Sequence, residues 1–408
     1  MTGQLKLGVL AAATKAIALC LGWEFVSRSS AWINHTFVDL WGWLDFMKKS
    51  ANGLVPYVDF SKEYPVGAGV LYWVLGRLNP GGDPTHFLQL HAVVMSIWDV
   101  ANAMLLFSIL RELKVSRPYF FTWLFLLLPT AVILSPVRFE AVVLTFVLQG
   151  YRMHLRQRFH LATFWWSIGA LIKVFPLLFI AIQELEIFQA TPGKWRRIPK
   201  HGLCAGLIAL GVFGVVNGPF LVAGFLRNGN ADAWLHTFLF HVNRPLYWDT
   251  ILGVMHLWRG AFEWERYASA WSSALMLVFL FWPVRLRIEA RSVLMMCAAL
   301  VFNRVYSTQF HLWFYPMLVV LLATAGNGVS FRRLFCALVL IDVVNVLVYP
   351  FAFSECLQEI HTFGNEAALV SGGAWTVFFS ALILLRALIL IGVMVLMIKE
   401  KSPIERLR

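Results

Sequence analysis

The chain has 408 residues, of which 59% are hydrophobic and only 14% are charged, and its net charge is +12 at pH 7. A soluble globular protein carries about 25% charged residues, so this composition excludes soluble metabolic enzymes and secreted disulfide scaffolds. It predicts a polytopic membrane protein. The excess of Lys and Arg fits cytoplasmic loops and lipid headgroups, and no nucleic-acid partner is expected. The five Cys residues imply no disulfide framework and no Cys-based metal site.

Apolar runs, taken in chain order, predict the membrane-spanning helices. We interpret the first, at residues 7–26, as a retained first span rather than a cleaved signal peptide. A span needs about 20 apolar residues, so the short run at 65–78, which begins with Pro65, is predicted to be re-entrant or interfacial. The run at 160–190 is long enough for two short passes with a turn near Lys173. The other runs lie near residues 87–110, 119–134, 139–151, 202–226, 268–284, 292–303, 310–326, 334–353 and 374–398.

Clusters of Lys and Arg between these runs set the sidedness, because positive loops stay in the cytoplasm. Two loops on the same side of the membrane must be separated by an even number of membrane crossings. All the clusters meet this condition if the run at 160–190 crosses twice and the run at 65–78 does not cross. The sequence therefore predicts about twelve transmembrane helices, cytoplasmic termini, and a long first extracytoplasmic loop at about residues 27–86. The predicted compartment is a bacterial inner membrane with the acidic loops facing the periplasm, and the alternative is the endoplasmic reticulum.

The first extracytoplasmic loop places acids beside aromatic residues. Asp39 follows the first span, where a carboxylate could take a proton from a sugar hydroxyl while a lipid-linked substrate approaches from the bilayer. The alternative is a solvated interfacial loop. Asp45 lies six residues further on, so on a helix it would point away from Asp39. Asp59 and Glu63 are predicted to lie in a loop. No Asp-x-Asp pair occurs here, so a metal site based on one is not expected.

Three later segments contribute cations. Lys173 stands inside an apolar stretch, where inserting a lysine costs about 2.5–3.5 kcal/mol, so its ammonium must reach water, a carboxylate or a phosphate. A phosphate contact and snorkelling are equal alternatives. Arg244 stands in the polar stretch 241–250. Arg304 and His311 begin and end a turn between two apolar runs, where they form either a phosphodiester clamp or an ordinary hairpin with one interfacial arginine.

Several polar residues fall inside apolar runs, which makes them functional candidates or partners in pairs that hold helices together. One such pair is predicted to join Asp342 to Arg386. The others are Lys15, Asp99, Asn102 and Asn345.

Three segments in chain order carry a family resemblance. The first is Asp39-Leu40 followed by Gly53-x-x-Pro56-Tyr57-x-Asp59-Phe60-x-x-Glu63-Tyr64-Pro65. The second is Lys173-Val174-Phe175-Pro176, and the third is Phe302-Asn303-Arg304-Val305-Tyr306-Ser307-Thr308-Gln309-Phe310-His311-Leu312-Trp313-Phe314-Tyr315-Pro316. Weaker matches are Arg138-Phe139-Glu140 and Arg244-Pro245. The chain resembles the integral-membrane glycosyltransferases of the GT-C class, and within it the branch that uses polyprenyl-phosphate-linked mannose or related sugars, glycosyltransferase family eighty-seven.

The resemblance implies an inverting sugar transfer with Asp39 as the catalytic base. The base deprotonates the acceptor hydroxyl, which attacks the anomeric carbon while polyprenyl phosphate leaves. The leaving phosphate needs cations or hydrogen-bond donors, for which the candidates are Lys173, Arg244, Arg304, Gln309 and His311. Glu140 is similar to a second acid of the class, with sugar binding or support of the base as its role. The candidates for binding sugar or acceptor are Asp45, Tyr57, Asp59, Glu63, Tyr64, Arg138 and Glu140. The resemblance implies no cofactor and no bound metal.

Residues 1–226 are predicted to form a GT-C-like catalytic membrane module, and residues 227–408 to form the helices that complete a donor and acceptor cavity. The expected partners are a polyprenyl-phosphate-sugar donor, a glycolipid or glycan acceptor, and membrane lipids. A transporter or flippase of lipid-linked sugars is the main alternative, and a scaffold subunit is the third. Many transporters are built from inverted repeats, and no obvious repeat relates the two halves of this chain.

Overall fold

The computed structural model of the chain describes residues 3–27, 38–79, 81–190, 198–244, 246–259, 267–282, 286–325, 329–353, 355–356 and 373–399. Every regular element in these ranges is helical, which confirms the predicted all-α class. The first nine α-helices are α1 (Gly3–Ser27), α2 (Val38–Ala51), α3 (Val66–Arg77), α4 (Pro84–Glu112), α5 (Pro118–Leu127), α6 (Pro129–Ile133), α7 (Glu140–Leu155), α8 (Phe159–Ala170) and α9 (Leu177–Ala190). The others are α10 (Ile198–Asn228), α11 (Asp232–Asn243), α12 (Ile251–Arg259), α13 (Ala268–Leu280), α14 (Ile288–Val301), α15 (His311–Thr324), α16 (Val329–Val346) and α17 (Ala374–Lys399).

Several of these helices are long and apolar enough to cross a bilayer, which supports a multi-pass membrane protein. Within the described ranges there are five: Gly3–Cys20, Pro84–Glu112, Lys200–Asn228, Ser330–Ala352 and Ala374–Lys399. A sixth span results if Pro118–Leu127 and Pro129–Val137, which bend by 59° at their junction, are counted together. The count of about twelve spans stays a prediction.

The structure divides two marginal apolar runs into short helices. The run at 65–78 contains only the 12-residue helix α3, which is shorter than the about 20 residues that a spanning helix needs. The run at 160–190 divides into α8 and α9, of 12 and 14 residues, with the predicted turn at Lys173 between them, and its two crossings stay a prediction. Pro176 explains the break, since the residue before a proline is pushed out of the helical region.

The chain divides into two compact units, which we describe separately. The first comprises Met1–Leu19, Phe37–Ile109 and Ser135–Arg244, and the second comprises Cys20–Thr36, Leu110–Leu134 and Pro245–Arg408. The predicted division of roles at residue 226 stays a prediction.

In the first unit, α7 and α8 form an antiparallel helical hairpin that positions the candidate site. The two helices are joined by residues 156–158 and pack along their lengths, with Trp166 Nε1 donating to the Val147 carbonyl at 3.1 Å. Gly150 allows this close approach, because a Cβ there would collide with the Trp166 ring. The hairpin therefore brings Glu140, at the start of α7, beside the turn that follows α8.

In the second unit, α14 forms the core and is buried along almost its whole length. It packs against α13, α15 and α17. Arg291, although 1% exposed, donates from Nη1 to the carbonyl of Phe279 at 3.3 Å and to that of Leu280. These carbonyls lie at the C-terminal end of α13, where helical oxygens lack intrahelical partners and a cation is favourable.

A buried ion pair links two predicted spans of the first unit. Lys15 Nζ on α1 lies 2.8 Å from Asp99 Oδ2 on α4, and both side chains are 4% exposed. Ser135 Oγ donates to the other carboxylate oxygen of Asp99 at 2.7 Å. These two residues therefore form one of the helix-holding pairs that the sequence offered as an alternative to function.

The predicted pair between Asp342 and Arg386 is wrong. Thr130 of α6 directs its backbone N–H toward the Asp342 carboxylate, at 3.3 Å and 3.4 Å from its two oxygens. Arg386 instead donates to Asn345 Oδ1 at 3.4 Å and to the Asp249 carbonyl. The guanidinium also lies 3.6 Å from the Tyr306 ring centroid. Asp342 accepts from the start of α6 because the first N–H groups of a helix have no acceptor within the helix. Arg386 has neutral oxygens and an aromatic face as its partners.

Asp99→Asn is expected to lower the free energy of unfolding by about 3–5 kcal/mol, because it leaves a buried ammonium without its charged partner. The measurement is Tm of the purified protein in detergent. The matched control is the double variant Lys15→Met with Asp99→Leu, which removes both charges and is expected to recover most of the loss. An unchanged Tm in Asp99→Asn would contradict the assignment.

Candidate functional site

The segment at residues 55–65 of the first unit is closed by the side chain of Tyr57. This residue adopts the left-handed conformation with φ of 61°, and its hydroxyl donates to the Tyr64 carbonyl at 3.1 Å and the Pro65 carbonyl at 3.3 Å. Burial raises the pKa of Tyr57 well above its usual value, so the hydroxyl keeps its proton. Gly69 makes room for the ring, since a Cβ there would lie 2.5 Å from the hydroxyl. Tyr57, predicted as a sugar or acceptor ligand, thus shapes the segment.

Side chains from the last turn of α10 hold the first part of this segment. Asn228 Nδ2 donates to the Val58 carbonyl at 2.7 Å, and Arg227 Nη1 lies 3.0 Å from Asp59 Oδ2. The same carboxylate oxygen accepts the N–H of Val55 at 2.7 Å. Asp59 lies in a loop, as predicted, and its contacts there are those of a residue that fixes the backbone.

Helix α11 holds the second part. Thr237 Oγ1 donates to the Lys62 carbonyl at 2.9 Å, and His241 Nε2 donates to the Glu63 carbonyl at 2.7 Å. Desolvation lowers the pKa of His241 below its usual value although part of its ring is exposed, so the ring is neutral at pH 7. A carbonyl can only accept, so Nε2 carries the proton and Nδ1 is an acceptor.

A buried lysine–carboxylate pair lies at the start of α7. Lys173 Nζ forms an ion pair with Glu140 Oε1, and the two residues are 7% and 0% exposed. The lysine therefore reaches a carboxylate rather than snorkelling to water. Glu140 is the first residue of α7, where the helix dipole favours a negative charge. The buried Glu140 Oε2 has no hydrogen-bond partner among the described residues.

Helix α3 is docked onto the turn that carries Lys173. Gly67 donates its backbone N–H to the Leu171 carbonyl at 2.7 Å. A Cβ at Gly67 would lie 2.6 Å from that same oxygen, so only glycine permits this approach. The position of Lys173 is thus fixed from α3 as well as from α7.

An aromatic cluster, defined here as Trp43, Tyr64, Tyr72 and Phe139, lies beside the ion pair. Trp43 stacks on Tyr72 at 3.8 Å between centroids and on Tyr64 at 5.4 Å, and Phe139 meets Tyr64 edge-on at 5.0 Å. Lys173 Nζ lies 4.7 Å from the Phe139 centroid and 5.7 Å from that of Tyr64, in the range of cation–π attraction.

A second lysine–carboxylate pair lies at this cluster. Lys62 Nζ is 3.2 Å from Glu63 Oε2 and 5.0 Å from the Trp43 ring centroid. The first unit therefore brings Glu63, Tyr64, Glu140 and Lys173, all predicted from the sequence, around one group of aromatic rings.

The predicted base lies on the helix that carries Trp43. Asp39 belongs to the first turn of α2, and its side chain lies outside the described residues. Residues three and four apart share a helix face, so the Asp39 position shares its face with Gly42 and Trp43.

The other predicted residues of the first unit have different surroundings. The Asp45 side chain is 62% exposed and pairs with Lys49 at 2.9 Å, which is a surface contact. Arg138 is buried. Arg244 directly follows α11, and its guanidinium lies 5.7 Å from the Phe240 ring centroid.

The remaining phosphate-ligand candidates belong to the second unit. His311 is fully buried, and its two ring nitrogens contact the hydroxyls of Tyr306 and Tyr315. A phosphate contact by His311 would require one of these bonds to break. Gln309 is buried and accepts a hydrogen bond from Ser307, while Arg304 is half-buried.

Sequence reasoning assigned no ligand role to Lys62, Trp43 or His241. The signal for Lys62 was present, because it is a cation between an acid and an aromatic residue in the predicted extracytoplasmic loop. The roles of His241 and Trp43 depend on contacts between elements distant in the chain, which no local pattern contains.

Among the described residues, no three His, Cys, Asp or Glu side chains group closely enough to hold a metal ion, and a metal-independent reaction stays a prediction.

Comparison with protein-family models and with curated proteins finds no match to the chain.

Gly67→Ala is expected to lower the free energy of unfolding by about 1–3 kcal/mol, the usual cost of inserting a methyl group into a tight contact. Tm in detergent is the measurement. Gly202→Ala is the matched control, because Gly202 is also helical but has open space at its Cβ position. Equal Tm values for the two variants would show that the contact between α3 and Leu171 does not position the turn.

Proposed function

We propose that the chain is an inverting glycosyltransferase that moves a sugar from a polyprenyl-phosphate donor to a lipid-linked or periplasmic glycan acceptor. Mannose is the first sugar to test. We also propose the bacterial inner membrane as its location, with the reaction on the periplasmic side. The multi-pass helical structure supports a membrane enzyme, and the family assignment rests on the sequence resemblance.

The observation that carries the proposal is the paired Lys173 and Glu140 beside the aromatic cluster. A donor of this class combines an anionic phosphate with a sugar rich in hydroxyls. An ammonium suits the phosphate, and a carboxylate with one oxygen unpartnered in the described structure suits a sugar hydroxyl. Glu140 Oε2 is such an oxygen, and a buried acceptor without a partner is costly unless a ligand or water satisfies it.

In the proposed reaction, the Asp39 carboxylate takes the proton of the acceptor hydroxyl. The acceptor oxygen forms a bond to the anomeric carbon, and the bond between that carbon and the phosphate oxygen breaks with its electron pair going to the phosphate. Lys173 stabilises the departing negative charge. Assignment of Arg244, Arg304, Gln309 and His311 to the same phosphate stays a prediction.

Asp39→Asn is expected to reduce transfer from radiolabelled polyprenyl-phosphate mannose into extractable glycolipid by about 100- to 10,000-fold, the usual contribution of a general base. Asp232→Asn, an exposed acid in the first turn of α11, is the matched control and should retain activity. Gel filtration and Tm establish that both variants fold.

The outcomes separate the possible functions. Transfer by wild type and by Asp39→Asn would keep the enzyme but move the base to another acid. Absence of transfer by wild type, together with movement of the lipid-linked sugar across vesicles that Asp39→Asn does not impair, would favour a flippase.

A further inference from the structure

Lys62 is the cation of the candidate site that the family resemblance leaves unassigned. It occupies one of the two unspecified positions between Phe60 and Glu63 of the motif, so no role carries over to it. Its backbone is fixed, because Thr237 Oγ1 donates to its carbonyl at 2.9 Å. The start of its side chain is therefore held in place by α11.

The ammonium of Lys62 is directed at α2 rather than into solvent. The side chain is only 13% exposed, and its Nζ lies 5.0 Å from the Trp43 ring centroid. A Cβ at Gly42 would come within 2.8 Å of the same nitrogen. The ammonium thus rests on the backbone of α2 where a glycine leaves room for it. Gly42 is three residues after Asp39, so this contact lies on the helix face that includes the position of the proposed base.

The two lysines at the aromatic cluster differ in how firmly they are paired. Lys173 is bound to a carboxylate with no exposed surface, whereas Lys62 pairs with Glu63, whose side chain is 31% exposed. A partly exposed ion pair contributes little stability, so its acid is easily exchanged for another anion. An ammonium also has three donors, and Glu63 Oε2 uses one of them. Lys62 can therefore donate hydrogen bonds to phosphate oxygens at small cost.

We propose that Lys62 is a second phosphate ligand of the donor site, and that its ammonium leaves Glu63 for the donor phosphate next to the Asp39 position. This inference rests on the proposed function. It predicts that Lys62 contributes to affinity for the phosphate group itself, whether the lipid carries a sugar or not.

The test measures binding of polyprenyl phosphate, with the unphosphorylated polyprenol as reference, to the full chain in phosphatidylcholine nanodiscs. Lys62→Gln is expected to raise Kd for polyprenyl phosphate about tenfold, since a charge-assisted hydrogen bond is lost, and to leave polyprenol binding unchanged. Lys62→Arg keeps the charge and should remain within a fewfold of wild type. Lys48→Gln, which removes an exposed lysine of α2, should bind as wild type does.

Gly42→Ala provides a second probe that leaves the charge present but displaces it. It is expected to weaken binding severalfold in the wild-type background and to have no further effect in Lys62→Gln, because the two changes act on the same contact. If Lys62→Gln does not fold, this variant still decides the question. Equal effects in both backgrounds would mean that Gly42 does not act through Lys62.

The failure of the inference and the failure of the proposed function are distinguishable. If wild type binds polyprenyl phosphate and both Lys62→Gln and Gly42→Ala bind it equally well, the inference is overturned and the proposed function stands. If wild type does not prefer polyprenyl phosphate to polyprenol, the proposed function fails with it. Displacement of polyprenyl phosphate by equimolar phosphatidylglycerol would show that Lys62 contacts lipid headgroups in general, which overturns the donor assignment.

Discussion

An ammonium group inside a membrane protein must have a partner, and Lys173 meets this requirement with the carboxylate of Glu140. This ion pair joins the turn after α8 to the first residue of α7. The two helices are therefore connected at one end by residues 156–158 and at the other end by the ion pair. Gly67 then fastens α3 to the same turn through the Leu171 carbonyl. The aromatic cluster lies beside this pair, and the Phe139 and Tyr64 ring centroids are 4.7 Å and 5.7 Å from the ammonium. The geometry of the candidate site follows from the placement of this one charge.

The irregular segment at 55–65 shows how a stretch without helical hydrogen bonds is kept in one conformation. Its carbonyls are satisfied by side chains from α10 and α11 and by its own Tyr57. Polar backbone atoms need partners in a low-dielectric environment, and here the partners also fix where Lys62 and Glu63 project. The acids and aromatic residues of this segment that were predicted as ligands therefore have two different roles in the structure. Tyr57 and Asp59 hold the segment, while Tyr64 belongs to the aromatic cluster and Glu63 pairs with Lys62 beside it.

The sequence was sufficient to predict the helical class, the membrane character and the turn at Lys173. Each of these depends on local information, such as the length of an apolar run or the position of a proline. The partner of Lys173 was not predictable, because Glu140 is 33 residues away and its approach depends on how α7 packs on α8. For the same reason Lys15 and Asp99 could be recognised as costly intramembrane charges, but their pairing could not be derived. Asp342 and Arg386 were paired by opposite charge alone, which ignored the competing neutral partners that each of them finds.

The contact between Asp342 and the start of α6 has a consequence for how this sequence can change. Pro129 interrupts an apolar segment, and the interruption leaves the N–H of Thr130 without a helical acceptor. The Asp342 carboxylate occupies that gap, and Asn345 Nδ2 donates to the Thr130 hydroxyl at 3.1 Å. The acid in α16 therefore serves the break at the proline, in addition to its hydrogen bond with the Tyr315 hydroxyl. In a descendant chain that lost Pro129 and regained a continuous helix, Asp342 would lose its contact with the Thr130 N–H, and its replacement by an apolar residue would cost less. We accordingly expect the two positions to be inherited together.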